Sequence, residues 1–135
     1  MNDFLIGLAW TIAIIAFLEI FRSVDKRLLA AYTLTGIPFI YIGFSFHDTP
    51  SLIASILSVA FFVALAYYGY KKNFNLVIAG LALHAGWDLV FPLFSTMAPE
   101  GYDIFCITID VLLAVYFFIR RKSIENASRY DVSTT

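Results

Sequence analysis

"FNLVIAGLALHAGWDLVFPLF", residues 74–94, decides how this chain is built. About 20 mostly apolar residues, rising 1.5 Å each as a helix, cross the roughly 30 Å hydrocarbon layer of a bilayer. This run is long enough. It nevertheless carries His84, Trp87 and Asp88 among leucines, valines and phenylalanines. It reads as a membrane helix with polar groups placed inside the membrane.

Working outward, four more runs meet the same length: Phe4 to Phe21, Leu28 to Phe46, Ser51 to Tyr70, and Tyr102 to Ile119. The breaks between the five are "RSVDKR", "HDTP", "KKN" and "STMAPEGYD", which hold the charged and turn residues that helix ends require. Thr49-Pro50 suits an N-cap followed by a first-turn proline, and Asn73 suits the N-cap of the fourth helix. The 135 residues are 61% hydrophobic and 14% charged. A soluble domain carries about 25% charged residues, so the lipid must solvate much of this surface. The expected fold is therefore all-α, one polytopic bundle of five transmembrane helices over residues 1–122, with a loose polar tail over 123–135. The first run follows "MND" with no basic residue before it and is read as a retained helix rather than a signal peptide.

Charge sets the expected orientation. Arg22, Lys26 and Arg27 lie in the first break, Lys71 and Lys72 in the third, and Arg120, Arg121, Lys122 and Arg129 in the tail; these are all 9 Lys and Arg residues. Five crossings put all of them on one side, opposite Asp3, His47, Asp48, Glu100 and Asp103. The positive-inside rule then places the N-terminus outside and the C-terminus in the cytoplasm, in a plasma or bacterial inner membrane. The net charge of −1 gives no footprint for nucleic acid. Cys106 is the one cysteine, so an intrachain disulfide is excluded. No motif names a cofactor. The five helices do not divide into an even inverted pair, which weakens a secondary-transporter reading.

Three ionisable groups fall deep in these helices: His84, Asp88 and Asp110. Counted from the outer end at 1.5 Å per residue, they lie roughly 15, 9 and 12 Å down, one stratum of the outer leaflet. His84 and Asp88 are four apart and share a helix face, which Gly80 and Pro92 continue. Charged groups in mid-membrane cost about 2.5–3.5 kcal/mol each on insertion scales, so these three are expected to face the bundle interior. Two carboxylates and an imidazole divide acid and base roles there, with His84 as base or proton shuttle, Asp110 as acid and Asp88 orienting His84. The plain alternative is an interhelical hydrogen-bond clamp without chemistry. A metal is a third reading, one imidazole with two carboxylates. It lacks a certain second histidine, His47 being in the outer loop, and the expected site is left without a metal.

Other positions complete the expected pocket. Gly36 and Pro38 kink the second helix, with Thr33, Thr35 and Tyr41 near enough to satisfy freed backbone groups. Pro38, Tyr41, Trp87 and Cys106 are the candidate substrate-lining residues, although packing is the first reading of Trp87 and of Cys106. Gly80 permits close helix approach, and Ser51, Ser55 and Ser58 form a small face on the third helix. Glu19 lies some 10–15 Å deeper than the cluster, near Arg22, and reads as an edge residue able to pair with it.

At "LHAGWDLVF" and "GYDIFCITIDVLLAVYFFIRRK" the chain resembles a family of small, uncharacterised bacterial membrane proteins with a His-x-x-Trp-Asp element in a late helix and an acidic residue in the last. His84, Trp87 and Asp88 fit the element, and Asp110 fits the acid. The resemblance implies a small bundle and supplies no activity. A looser likeness is to five-helix sterol-isomerase-like membrane proteins, which hold acidic and histidine side chains in an intramembrane cavity; it is a likeness of fold alone. Three functions follow as expectations. The first is a membrane enzyme moving a proton on a lipophilic small molecule, of isomerase or cyclase type. The second is a small proton-coupled transporter or channel-like subunit, assembled as a homo-oligomer. The third is a non-catalytic partner in a larger membrane complex.

Overall fold

The computed structural model describes residues 2–21, 23–93, 95 and 98–132, with the backbone alone for 128–132. It contains five α-helices: α1 Asn2–Ile20, α2 Lys26–Phe44, α3 Thr49–Lys71, α4 Asn75–Val90 and α5 Tyr102–Val132. All five are long and apolar enough to cross a membrane. Each turns large apolar side chains outward, such as Trp10 and Ile20 on α1, Tyr32 on α2, Leu57 on α3, Leu89 on α4 and Ile119 on α5. In water that surface would be a severe liability, whereas in lipid it is the expected exterior.

Local chemistry sets the helix ends. The Asp25 side chain accepts from the Arg27 and Leu28 amides and starts α2. Asp48 does the same for α3 through the Ser51 amide, so Thr49 is the first helical residue and not the cap. An aspartate is the stronger cap, and Pro50 still falls in the first turn, where its missing N–H is harmless. At α4 the N-cap position is Phe74 and not Asn73, whose side chain accepts from the Asn75 amide in the turn just before the helix. That helix stops at Val90 and tightens into a 3₁₀ turn over Phe91–Leu93. Pro92 cannot supply the amide that a further α turn requires. Gly101 enters α5 with φ +82°, and a Cβ there would sit 2.6 Å from an Asp3 carboxylate oxygen, so both the backbone and the space demand glycine.

Side-chain contacts fix how the helices alternate. At one end Lys26 and Arg120 bind Glu19, and Arg27 reaches the Gly69 carbonyl. At the other end Ser45 meets Ser55, and Asp3 lies against Gly101. Successive helices therefore run up and down. Helix α5 packs between α4 and α1, while α2 packs on α3 and both touch α4. Gly7 lets α1 close on α5, where a Cβ would stand 2.9 Å from the Phe105 carbonyl oxygen. Gly80 does the same for α4 against α2, where an added Cβ would press on Leu34 Cδ2. Ser51, Ser55 and Ser58 are all buried, and Ser58 donates to the Ser55 carbonyl.

Helices α1 and α2 are consecutive yet leave a groove of about 520 Å³ between them, lined by Trp10, Ala13, Ile14, Phe17, Leu29, Tyr32 and Thr33. Across the middle of the bundle an apolar layer of Leu34, Leu81, Leu113 and Phe117 is fully or almost fully buried. One expectation changes. The segment after residue 122 is not loose where it is described, because α5 continues as helix to Val132. The expected Glu19–Arg22 pair falls on Arg22, which lies outside the described residues; Glu19 pairs with Lys26, Arg120 and the Tyr116 hydroxyl.

Candidate functional site

The site is built by three helices and closed by a fourth. Helix α4 carries His84 and Asp88 one turn apart on its inward face. Helix α5 presents Tyr102, Cys106 and Asp110 at successive four-residue steps, one stripe of a 3.6-residue helix. Helix α2 sends in Tyr41, one turn beyond Pro38. Helix α3 contributes the Phe62 ring, T-shaped to the His84 ring at 4.8 Å. His84, Asp88 and Asp110 are 0% exposed and Tyr41 is 1% exposed.

His84 Nδ1 lies 2.8 Å from Asp110 Oδ2 and 3.4 Å from Asp88 Oδ1. The Tyr41 hydroxyl donates to the same Asp88 Oδ1 at 2.7 Å. Nδ1 has room for one proton and faces two acids, so the short contact to Asp110 is the hydrogen bond and Asp88 takes its donor from Tyr41. Sequence spacing alone made Asp88 the orienter of His84; in three dimensions the residue 26 positions away is the nearer partner. Tyr41 likewise does not serve the backbone near Pro38. Thr33 bonds the Leu29 carbonyl, and Tyr41 is committed to Asp88.

The pocket is rich in acceptors. Its two carboxylates offer four oxygens, and among the described residues two donors, the Tyr41 hydroxyl and His84 Nδ1, reach them. Asp88 Oδ2 and Asp110 Oδ1 are buried without a hydrogen-bond partner, as is His84 Nε2. One oxygen of each carboxyl and a ring nitrogen of His84 all lie within 4.8 Å of one another. A buried unsatisfied acceptor costs about 1–3 kcal/mol, more if charged, so the pocket favours any species that brings positive charge or protons between these acids.

The remaining candidates divide. Cys106 is buried beside the Tyr102 hydroxyl, and Tyr102 stacks edge-on to Tyr41 at 6.2 Å between centroids. Pro38 is buried on α2. Trp87 is half-buried and packs against Phe91 and the core. His47 is exposed in the loop before α3 and is not one of the clustered groups. Tyr102, Phe62 and Phe91 were not singled out from the sequence. Tyr102 was within reach, since 102, 106 and 110 form one stripe; the other two look like ordinary apolar residues.

A family described as "Family of unknown function (DUF6010)" matches residues 2–123, nearly the whole helical bundle. The chain belongs to that family. No curated protein and no solved structure matches this DUF6010 chain. Its family membership thus covers every residue of the cluster and assigns none of them a role.

Proposed function

We propose that this protein moves a proton on a lipophilic molecule inside the membrane, as an isomerase or cyclase does. One observation carries the reading: two carboxylates and an imidazole converge in a fully buried pocket that is short of donors. A proton held among Asp88, His84 and Asp110 supplies what the pocket lacks. In this scheme Asp110 and His84, joined at 2.8 Å, exchange it, and Asp88 steadies the pair through Tyr41. The groove between α1 and α2 is lined mostly by apolar side chains and suits a lipophile. We take the N-terminus to face outward and the C-terminus the cytoplasm of a bacterial cell, with the His-x-x-Trp-Asp element as the signature of the site.

The test is solvent-proton exchange. The protein is purified in mild detergent, its retained lipophiles are identified by mass spectrometry, and they are returned to it in D₂O with a chelator present. Deuterium is expected to enter one retained compound with the native protein and not with His84→Gln or Asp110→Asn. Equal labelling in all three, or none with the native protein, removes the reading. A proton-coupled transporter ranks second. The Glu19, Lys26, Tyr116 and Arg120 group gives polar side chains at the other end, but the Leu34, Leu81, Leu113 and Phe117 layer separates it from the cluster. Proton flux into proteoliposomes that disappears in Asp88→Asn would reverse the order.

A further inference from the structure

We propose that His84 Nδ1, Asp88 and Asp110 form a binding site for one divalent first-row transition-metal ion. The inference rests on reading the cluster as a working site rather than a clamp, and it adds a ligand that the proton scheme does not require.

Geometry is the first argument. One atom from each of the three side chains lies within 4.8 Å of the others, and all three residues are fully buried. With metal–ligand bonds of about 2.1 Å, neighbouring ligands stand about 3.0 Å apart across a right angle and about 3.4 Å across a tetrahedral one. The two imidazole–carboxylate separations, 2.8 and 3.4 Å, already have those lengths. The longer one is poor for a hydrogen bond but ordinary for two ligands of one ion.

Charge is the second. Two carboxylates and a neutral imidazole carry −2, which a divalent ion cancels within a low-dielectric interior. Among the described residues no Lys or Arg pairs with these acids, and Lys26, Arg27 and Arg120 are engaged at the other end of the bundle. The unpartnered Asp88 Oδ2 and Asp110 Oδ1 provide further oxygen donors, allowing either carboxylate to bind through both oxygens. Among the described residues the other titratable groups facing the cluster are the Tyr41 phenol from α2 and the Tyr102 phenol and Cys106 thiol from α5, and α3 adds the Phe62 ring.

Chemistry selects the ion. One nitrogen with carboxylate oxygens suits Mn²⁺, Fe²⁺, Co²⁺ or Zn²⁺ better than Mg²⁺ or Ca²⁺, which prefer all-oxygen shells. Three protein ligands leave a position open for a substrate oxygen, where the ion would act as a Lewis acid. With Nδ1 as ligand the ring proton moves to Nε2, which is buried without a hydrogen-bond partner. Missing outer partners of that kind weaken metal sites about 10–100-fold, so binding should be moderate rather than very tight.

The experiment uses the full chain carrying His47→Ala, which leaves His84 as its only histidine. Chelator-stripped protein in detergent is titrated with Co²⁺, and separately with Zn²⁺ while the imidazole ¹⁵N signals are followed by NMR. One Co²⁺ per chain with a visible ligand-field spectrum, and a Zn²⁺-dependent shift at Nδ1, are expected. Asp110→Asn and His84→Gln in the same background should lose saturable binding, and excess Mg²⁺ should not compete. Absence of saturable Co²⁺ binding, or a Zn²⁺ titration that leaves Nδ1 unmoved, overturns the site even if the variants fail to fold. The outcomes separate from those above. Deuterium transfer in chelated protein without metal binding removes only this inference, whereas metal binding without deuterium transfer removes only the proton-transfer reading.

Discussion

His84 on α4 and Asp110 on α5 meet at 2.8 Å, Nδ1 to Oδ2, in a place no solvent reaches. Replacing Asp110 by asparagine keeps an oxygen where Nδ1–H needs one and removes a desolvated charge. Asp110→Asn is therefore expected to unfold within about 1 kcal/mol of the native protein. Asp88→Leu removes the acceptor of Tyr41 and leaves that hydroxyl buried alone, and should cost about 1–3 kcal/mol. Thermal unfolding of both variants in one detergent decides the matter. The reverse order would show that the cluster is held by something other than these hydrogen bonds.

Tyr41 and Tyr102 lie edge to face in the same aromatic cage, but their hydroxyls have different partners. Tyr41→Phe strips a carboxylate of its donor and is expected to destabilise by about 1–3 kcal/mol. Tyr102→Phe gives up only a weak contact to a thiol and should stay below about 1 kcal/mol. Equal losses would mean that ring packing, which both variants retain, is not the common baseline assumed here.

Two glycines of α4 should behave oppositely. A methyl at Gly80 would press on Leu34, which is buried and has nowhere to go, so Gly80→Ala is expected to lose about 1–3 kcal/mol. Gly86 has nothing within 4 Å of the added carbon, and alanine is the better helix former by about 1 kcal/mol. Gly86→Ala should be neutral or stabilising. Chemical or thermal denaturation of the pair checks the α2–α4 approach directly.

Filling the groove tests whether lipophiles enter there. Ala13→Trp places an indole among Ile14, Phe17 and Leu29 without touching the His84 cluster. Retention of co-purified lipophiles should fall several-fold while thermal stability holds. Unchanged retention would move the entry route elsewhere on the bundle.

The long apolar runs were legible because each is its own argument: helix length is matched to hydrocarbon thickness, and backbone groups in lipid must pair within the segment. All five appear as helices, within a few residues of the expected ends except where α5 runs on. The ends themselves were harder to read, since Asp48 and Thr49 are both good caps and only the local backbone chooses between them. The site was partly legible. His84 and Asp88 share a face by spacing alone, and Asp110 was placed at their depth by counting rise per residue. The Glu19 partners Tyr116 and Arg120 were not foreseen, because nothing local links positions about a hundred residues apart.

The sequence by itself determined that five helices are long and apolar enough to cross a membrane, that basic residues gather at one end, and that three ionisable groups share a stratum. Those follow from period, length and charge, which act within a segment. Only the tertiary structure decided that His84 is held by Asp110, that Tyr41 serves Asp88, and that two carboxylate oxygens stay unpartnered. Such pairings depend on how α2, α4 and α5 are rotated about their axes and how closely Gly80 and Gly7 let their helices approach. Rotation and approach are set by packing across the whole bundle, and no single segment of the chain encodes them.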